Sequence, residues 1–391
     1  MNQTKWTSMW GNAVSIAEHR PESYAKNITL RYPVYAPFGG EALRFTFDNY
    51  CGSESVTITK ATVSLAICDI TEKIGLSCPI SADTVTDITF SDEASVTISA
   101  HERVVSDAVS FSVPAGATLC VSIYFSNFTL MQSAVLITGP LSKGYFSLGD
   151  ETGSMELPLD TTKTTNWFYF LSNIDILTST ENHAVICYGD SITAQSWPDY
   201  LALRLKQEGY SHTSVIRRAA SGTRVLRQYD CITYDSYGLK GSNRFHHEIP
   251  TAGADTLIIQ QGINDIIHPV GTDINPFRPM SDLPTATELI DGLKWYVEQA
   301  RNYDYKVYMG TLLPIYGWRT YAPFREDLKN EINEWIRSTK DIDGCIDFDM
   351  ALRDEAKPAA FRDGYDSGDH LHPSASAYKK MAEIVPVSLL K

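Results

Sequence analysis

The chain has 391 residues, of which 43% are apolar and 20% are charged, and its formal net charge is −14. This composition is typical of globular protein and excludes a wholly disordered chain, while the length predicts about two or three domains. Nucleic-acid binders need a basic surface, and the net negative charge argues against one here. No apolar run approaches the roughly 18 residues of a membrane span. We therefore expect neither nucleic acid nor a membrane as a partner.

The start of the chain and its cysteines bear on the compartment. No apolar core follows the early Lys5, so we see no signal peptide and expect a cytoplasmic protein, or an exported one if a leader has been removed. The cysteines are scattered, with no C-x-x-C pair, which favours reduced, mostly buried thiols over a disulfide framework or a zinc ribbon. They are Cys51, Cys68, Cys78, Cys120, Cys187, Cys231 and Cys345.

Residues 1–178 have the pattern of an all-β accessory domain. Short runs rich in Val, Ile, Thr, Phe and Tyr are separated by turn residues, and no amphipathic helix stands out. Such a pattern predicts a β-sandwich or jelly roll. The predicted strands are Ile28–Tyr35, Glu41–Asn49, Ser55–Ala66, Ser95–Ser99, Val109–Val113, Ala117–Phe125 and Trp167–Ile176.

Residues 179–391 alternate between strand and helix patterns, which indicates an α/β domain with a parallel sheet covered on both faces. The predicted strands include His183–Tyr188, Asp255–Gln261, Lys306–Leu312 and Cys345–Phe348. The predicted helices are Trp197–Glu208, one that follows the capping box Thr285-x-x-Glu288, one with an apolar face of Phe324, Leu328, Ile332, Trp335 and Ile336, and a last one with Tyr378, Met381, Ala382 and Val385.

Four short blocks lie downstream of the predicted strands, and an open parallel sheet binds its ligands at the carboxyl ends of its strands. Together they offer the parts that acyl transfer needs: a serine, a histidine base with an orienting carboxylate, and fixed donors for an oxyanion. The blocks are Gly189-Asp190-Ser191-Ile192, Gly222, Gly262-Ile263-Asn264-Asp265 and Asp369-His370-Leu371-His372.

These blocks, in this order over residues 183–386, resemble those of the SGNH (GDSL) hydrolase family. The resemblance implies Ser191 as nucleophile, His372 as base and Asp369 as the orienting carboxylate. It also implies an oxyanion hole made by the backbone N–H groups of Ser191 and Gly222 and the side-chain amide of Asn264. His370 and Asp366 are the alternatives to His372 and Asp369 as base and carboxylate.

The N-terminal half carries a looser resemblance. Trp10-Gly11-Asn12-Ala13, Gly39-Gly40 and Leu43-Arg44-Phe45 are similar to motifs of a β-domain that precedes the hydrolase in one bacterial subgroup, which includes esterases of xylan and other plant polysaccharides. The resemblance implies an SGNH-type serine esterase of short acyl groups, most simply acetyl, on plant-type poly- or oligosaccharide. The alternatives are a lipase- or thioesterase-like hydrolase of longer acyl chains and a catalytically silent carbohydrate-binding protein.

Three positions depart from the family pattern and leave the shape and polarity of the pocket open. Gln195, Arg217 and Ala219 stand where Gly, Asn and Gly are common in the family. No spacing of His or carboxylates supports a closed metal site and no nucleotide-binding motif is present, so we expect neither metal nor cofactor.

Aromatic residues could supply a wall for a sugar ring. Trp318, in the loop after a predicted strand, is the main candidate, with Tyr316 and His268 as further possible wall residues. Trp197 lies on an apolar helix face and is expected in the core instead. Asp265 is expected to brace its loop by hydrogen bonds.

Overall fold

The computed structural model describes residues 3–16, 24–72, 75, 77–229, 238–271 and 278–389, so Cys231 lies outside the described residues. The chain forms two compact units. The first comprises Met1–Ala184, Leu205–Ile216 and Thr251–Gly253, and the second comprises Val185–Arg204, Arg217–Pro250 and Ala254–Lys391. Within the described ranges, no helix is both long enough and apolar enough to span a bilayer.

The N-terminal region consists mostly of antiparallel strands, as its β-branched and turn-rich sequence predicts. A single turn of 3₁₀ helix, Ala82–Thr84, is the only helical element described there. The strands are β1 Thr4–Gly11, β2 Ser15–Ile16, β3 Tyr24–Ala25, β4 Ile28–Tyr35, β5 Gly40–Asp48, β6 Val56–Ile58, β7 Lys60–Leu65, β8 Thr86–Ile88, β9 Val96–Ile98, β10 Arg103–Val105, β11 Val109–Val113, β12 Thr118–Phe125, β13 Thr129–Leu130, β14 Ser133–Leu136, β15 Gly144–Leu148, β16 Lys163–Thr165, β17 Trp167–Tyr169 and β18 Leu171–Ser179.

Two large sheets carry the core of this region. One has the order β1-β18-β5-β10, with β11 also paired to β5, and the other has the order β16-β15-β4-β12-β7-β8. Because side chains alternate between the two faces of a strand, Phe45 and Phe47 of β5 point to one side and are fully buried. The ring of Phe125, on β12, lies 5.4 Å from that of Phe170, just before β18, so aromatic packing joins strands of both sheets.

Two of the predicted strands are interrupted in the structure. Ser55–Ala66 divides at Thr59 into β6 and β7. Trp167–Ile176 divides at Phe170, whose φ of +61° is rare for a residue other than glycine. The chain changes partners there, since β17 pairs with β14 whereas β18 pairs with β1 and β5. A continuous apolar run does not reveal such a change of sheet.

The C-terminal region has a parallel sheet with helices, as the strand–helix alternation predicts. The five strands stand in the order β20-β19-β21-β22-β23. They are β19 His183–Gly189, β20 Thr213–Ala219, β21 Ala254–Gln260, β22 Lys306–Gly310 and β23 Gly344–Ile346. The helices are α1 Ser191–Ala194, α2 Trp197–Glu208, α3 Gly241–Glu248, α4 Ile263–Ile267, α5 Ala286–Arg301, α6 Pro323–Ser338, α7 Phe348–Leu352 and α8 Ala375–Ile384, with two 3₁₀ turns at Met280–Asp282 and Val387–Leu389.

Two strand predictions in this region are too long. Lys306–Leu312 ends as a strand at Gly310. Cys345–Phe348 is wrong at its end, because the strand stops at Ile346 and Phe348 begins α7. The side chain of Asp347 caps that helix by accepting a hydrogen bond from the backbone of Met350 at 3.0 Å, and such a cap ends an extended segment.

The predicted apolar face of α6 is only partly correct. Leu328, Ile332 and Ile336 are buried, but Phe324, in the first turn, is 48% exposed. Lys329 is fully buried on the same helix, where its ammonium lies 2.9 Å from a carboxylate oxygen of Glu326. A buried cation keeps its charge at tolerable cost only when it is paired. The buried face of α6 is therefore partly ionic.

Candidate active site

Ser191 lies at the carboxyl end of β19, where the chain turns sharply into α1. Asp190 is the N-cap of this helix, and its Oδ1 accepts a hydrogen bond from the backbone of Ile192 at 3.0 Å. A Cβ at Gly189 would lie 2.4 Å from the carbonyl oxygen of Gln260 and 2.5 Å from Oγ1 of Thr193. Only glycine fits at position 189, and it lets β19 deliver the serine tightly against β21.

The structure brings Ser191 to His372, which lies 181 residues later in the chain, and to the neighbouring Asp369. Oγ of Ser191 lies 2.8 Å from Nε2 of His372. Nδ1 of the same ring lies 2.6 Å from Oδ2 of Asp369. A hydroxyl, an imidazole and a carboxylate joined in this way can pass a proton from the oxygen to the ring while the carboxylate stabilises the resulting positive charge.

Asp369 is held as an anion by several donors. Its Oδ1 accepts hydrogen bonds from the backbone N–H groups of Leu371 and His372, at 3.0 and 2.8 Å, and from the hydroxyl of Ser367 at 3.1 Å. Burial acts to raise the pKa of Asp369, but the hydrogen bonds from the ring and backbone of His372 and from the backbone of Leu371 outweigh it and keep the pKa well below its ordinary value. The carboxylate of Asp369 is therefore ionised at neutral pH.

A second Asp–His pair occupies the same loop. Nδ1 of His370 lies 2.5 Å from Oδ2 of Asp366, and the backbone N–H of His370 donates to the other oxygen of that carboxylate at 2.9 Å. His370 has a φ of +64°, so its backbone is in the left-handed region. The ring of His370 is paired with Asp366, whereas the ring of His372 lies within hydrogen-bond distance of Ser191.

Asp190 is a third carboxyl near the histidine. Burial raises its pKa to about 7, against the opposing effects of the hydrogen bond from Ile192 and of the nearby His372. Its Oδ2 is buried and has no hydrogen-bond partner among the described residues. From the sequence, Asp190 was only one residue of a motif block, with no role of its own. Its place directly before Ser191, as the N-cap of the next helix, was the available sign of a structural role.

The residues expected to form an oxyanion hole follow two other strands. Gly222 lies after β20 with a φ of +74°, a conformation that favours glycine. Asn264 is in the first turn of α4, after β21, and is 2% exposed. One hydrogen of its side-chain amide is donated to the carbonyl of Thr223 at 3.0 Å, which fixes the amide and leaves its second hydrogen for another acceptor.

Asp265 braces the loop that contains Gly222. Its two carboxylate oxygens accept hydrogen bonds from the backbone N–H groups of Val225 and Leu226, both at 2.8 Å. Burial raises the pKa of Asp265 to about 6, although these two hydrogen bonds oppose the rise. The contacts hold the loop after β20 against α4 and so fix Gly222 relative to Asn264.

Two of the expected wall residues lie on a loop that contacts the second Asp–His pair. Tyr316 is 41% exposed, and Nζ of Lys357 lies 3.0 Å from the centre of its ring. Trp318 is half-buried two residues later. Between them, a Cβ at Gly317 would lie 2.7 Å from Cγ of His370. This loop therefore lies against the segment that carries the catalytic candidates.

His268 is buried rather than presented to solvent. It is 5% exposed, and its Nδ1 lies 2.6 Å from Nη1 of Arg224. Burial and the neighbouring Arg224 lower the pKa of His268 well below its ordinary value, so the ring is neutral. Tyr188 and Trp197 are also fully buried and belong to the core.

The three departures from the family pattern have structural roles. Arg217 is buried and makes an ion pair with Asp199 on α2, and it donates to the carbonyl of Ala194 at 3.1 Å. Gln195 is the C-cap of α1. Ala219 is fully buried at the end of β20. The arginine therefore ties the short helix after the serine to the helix that follows.

Arg244 supports the turn before the serine, and sequence reasoning missed it. This residue of α3 is fully buried and forms an ion pair with Glu248. Its Nη2 donates to the carbonyl of Gly189 at 2.8 Å, and its guanidinium lies 4.2 Å from the ring centre of Tyr188. Arg244 and Glu248 are four residues apart, a spacing that favours an ion pair on a helix, but α3 was not predicted from the sequence.

No group of three or more His, Cys, Asp and Glu side chains within the described ranges is arranged to hold a metal ion.

A model of the GDSL-like lipase/acylhydrolase family matches residues 187–380. Among solved structures, the chain resembles a lipase/acylhydrolase from Enterococcus faecalis (18% identity, 52% of this chain and 93% of that one, TM-score 0.39). It also resembles a catalytic mutant of Axe2, an acetylxylan esterase from Geobacillus stearothermophilus (17%, 53% and 94%, TM-score 0.40). A third is a GDSL-like lipase from Bacteroides thetaiotaomicron (18%, 53% and 87%, TM-score 0.36). No curated protein matches the chain.

Proposed function

Because residues 187–380 form a domain of the GDSL-like lipase/acylhydrolase family, we propose that the chain is a serine esterase that works through an acyl-enzyme. Ser191 is the nucleophile, His372 the general base and Asp369 the orienting carboxylate. The observation that carries the proposal is the unbroken chain of hydrogen-bond distances, 2.8 Å from the serine to the ring and 2.6 Å from the ring to the carboxylate.

In the first half-reaction, Oγ of Ser191 attacks the ester carbonyl carbon while Nε2 of His372 takes its proton. The carbonyl oxygen becomes an oxyanion, which accepts hydrogen bonds from backbone N–H groups and the free hydrogen of the Asn264 amide. The C–O bond to the alcohol then breaks, and the imidazolium returns its proton to the leaving oxygen. The products are the alcohol and an acyl-serine.

In the second half-reaction, water takes the place of the alcohol. Nε2 of His372 removes a proton from the water as it attacks the acyl carbon, and the bond to Ser191 breaks as the proton passes to the serine oxygen. Asp369 stays ionised throughout and fixes the ring so that Nε2 faces the serine. The net reaction converts an ester and water to an alcohol and an acid.

We further propose that the substrate is a short acyl ester, most simply acetyl, on a plant-type poly- or oligosaccharide. The ring of Tyr316 is 41% exposed, the ammonium of Lys357 lies over one of its faces, and the neighbouring Gly317 lies against His370, two residues before His372. An aromatic face with polar neighbours suits a sugar, which has both C–H faces and hydroxyl groups. A long acyl chain would require a continuous apolar surface.

The test is acetate release from acetylated xylan and mannan oligosaccharides, measured beside the hydrolysis of p-nitrophenyl acetate and octanoate. We expect release of acetate from at least one glycan and a preference for acetate over octanoate. Ser191→Ala is the control for every substrate and should lose activity by a factor of at least about 10⁴. Turnover in that variant like that of the wild type would end the triad assignment.

The other outcomes separate the two parts of the proposal. Hydrolysis of the aryl esters alone would keep the mechanism and remove the carbohydrate substrate. A preference for octanoate would support the longer-chain alternative. Glycan binding without turnover of any ester would contradict the esterase and support a binding protein.

The wall has its own test in Tyr316→Ala, with Phe324→Ala as the matched control, because both rings are nearly half exposed. Loss of a stacking ring should raise KM for the acetylated glycan by about tenfold, the equivalent of one aromatic contact, and leave p-nitrophenyl acetate nearly unchanged. An equal effect of both variants, or none from either, would exclude Tyr316 from sugar binding.

A further inference from the structure

Three cysteines that are scattered in the sequence meet in the N-terminal region. Sγ of Cys68 lies 2.9 Å from Sγ of Cys78, and Sγ of Cys120 lies 3.4 Å from the same atom. All three are free thiols in the structure. Cys78 therefore stands between two possible partners. We call these residues the thiol cluster.

The thiol cluster has one accessible end. Cys78 and Cys120 are fully buried and pack with Ile80 and Tyr145, whereas Cys68 is only half-buried. A reagent from solvent would therefore meet Cys68 first, and the two inner thiols would react only with another sulfur of the thiol cluster.

We propose that Cys68 and Cys78 form a disulfide when the protein meets a low-molecular-weight disulfide oxidant, and that Cys120 is an internal exchange partner for Cys78. A covalent S–S bond is roughly 2.05 Å long, so the sulfur atoms of the first pair are about 0.9 Å from bonding distance. The site is independent of the esterase chemistry.

The reaction proceeds by thiol–disulfide exchange in two steps. The thiolate of Cys68 attacks one sulfur of the oxidant RSSR, which releases one RSH after protonation and leaves a mixed disulfide on Cys68. The thiolate of Cys78 then attacks the sulfur of Cys68 and releases the second RSH. Two protein thiols are oxidised and one RSSR is reduced to two RSH. Attack by Cys120 on the sulfur of Cys78 would move the bond inward and return Cys68 to the thiol.

The backbone near the first thiol is already held in place. The carboxylate of Asp69 contacts the ammonium of Lys206 at 2.9 Å, and the backbone of Ile70 donates to the hydroxyl of Thr118 at 2.8 Å. The Cys68–Cys78 bond would thus close a short loop, and the residues directly after Cys68 are already held by their contacts in the reduced protein. Because a cross-link mainly restricts the unfolded chain, oxidation should stabilise the region with little change in structure.

The environment makes the reaction slow at neutral pH. The hydrogen bond with Cys78 and burial both raise the pKa of the Cys68 thiol, so little thiolate is present. Oxidation should accelerate as pH rises, in contrast to a fast redox sensor with a lowered thiol pKa. The chemistry suits a bond that forms slowly in an oxidising compartment.

The experiment incubates the folded, full-length protein with glutathione disulfide at pH 7 and pH 9. Thiols are then counted in denaturant, and the bond is located by peptide mapping. We expect the loss of two of the seven cysteine thiols, a mass 2 Da lower, and a cross-link between the peptides of Cys68 and Cys78. The midpoint of thermal unfolding should rise by about 5 °C, and dithiothreitol should reverse both changes.

Two variants make the test specific. Cys68→Ser should lose this cross-link and leave Cys78 and Cys120 as thiols, because both are fully buried and the oxidant reaches them only through Cys68. Cys345→Ser, which removes another half-buried cysteine, should oxidise like the wild type. A cross-link to any cysteine outside the thiol cluster, a full count of seven thiols after prolonged oxidation at pH 9, or a mixed disulfide that never resolves would each overturn the proposal. The wild-type mapping alone decides it if a variant does not fold.

Discussion

Two Asp–His pairs occupy a single loop, and the ring of one of them lies within hydrogen-bond distance of Ser191. Asp369 pairs with His372 and Asp366 with His370, at the similar distances of 2.6 and 2.5 Å. His372 is the more buried of the two rings, with 21% of its side chain exposed against 51% for His370. What separates the pairs is the far nitrogen of the ring, because only Nε2 of His372 reaches the serine hydroxyl.

A contact between Asp and His can also serve only to shape a loop. A tight backbone bridge between Asp366 and Pro373 closes the loop, and the backbone of Ser367 donates to the carbonyl of His372 at 3.0 Å. Asp366 also accepts from the backbone of Gly368 at 2.8 Å. This pair therefore helps to build the loop, while the other pair performs the proposed proton transfer.

Removal of each ring in turn should separate the two pairs most strongly. His372→Ala should lower kcat on p-nitrophenyl acetate by about 10⁴ or more, because the serine loses its base. His370→Ala should change kcat by less than about tenfold, since its ring does not contact the serine. Steady-state kinetics on both variants, with circular dichroism as the folding control, would measure this. Equal losses would show that the two pairs act as one unit.

The two carboxylates give the next largest contrast. Asp369→Asn should lower kcat by about 10³–10⁴, because an amide can hold the wrong tautomer of His372 and cannot stabilise its cation. Asp366→Asn keeps an acceptor for the backbone and should cost less than about tenfold. The measurement is kcat across pH 5–9 for both. A larger loss in Asp366→Asn would reverse the assignment of the two aspartates.

Asn264→Ala tests the stabilisation of the oxyanion and should have a smaller effect than loss of the base or its carboxylate. Loss of one oxyanion donor is expected to lower kcat by about 10²–10³ with little change in KM, because the bond forms fully only in the transition state. The amide also holds the carbonyl of Thr223, so the thermal midpoint must be measured beside the kinetics. A rise in KM with unchanged kcat would place Asn264 in substrate binding instead.

Asp190 is the third carboxyl near the base, and its effect should appear in stability. Because burial raises its pKa to about 7, the folded chain keeps a proton that the unfolded chain loses above about pH 4. The stabilisation is full below pH 4 and is lost as pH rises to about 7. Asp190→Asn removes this loss, so the free energy of unfolding of the variant minus that of the wild type should rise over this range by at most about 4 kcal/mol.

Urea denaturation of both proteins at pH 4, 5, 6 and 7 measures that difference. Asp265, whose pKa is also raised, is present in both proteins and largely cancels. Asn keeps the acceptor for the backbone of Ile192, so the helix cap is preserved. Parallel stability curves would show that Asp190 is ionised in the fold throughout.

Periodic patterns predicted the elements that the structure contains where one local rule dominates. The capping box of Thr285 and Glu288 begins α5 as expected, because both of its hydrogen bonds are local. The strand Ile28–Tyr35 was predicted with its observed bounds. The predicted strand Trp167–Ile176 was interrupted at Phe170, because the chain changes sheets there. The predicted apolar face of α6 was wrong at Phe324, which lies in the first turn and is 48% exposed.

Sequence patterns predicted a β region followed by a parallel α/β region and four motif blocks, and the block of Ser191 and that of Asp369 and His372 are within hydrogen-bond distance in the structure. Motif order is informative because the carboxyl ends of parallel strands lie at one edge of the sheet. Residues that are far apart in the sequence can therefore lie close together in the fold. The family resemblance implied Asp369 and His372 as the partners of Ser191, but spacing alone does not separate them from Asp366 and His370, since each pair is three or four residues apart on one loop. The distances that favour His372 are visible only in the folded chain, because the direction of each ring depends on the packing around it. The same reason hid the thiol cluster, whose members meet only once the strands of the first region are paired.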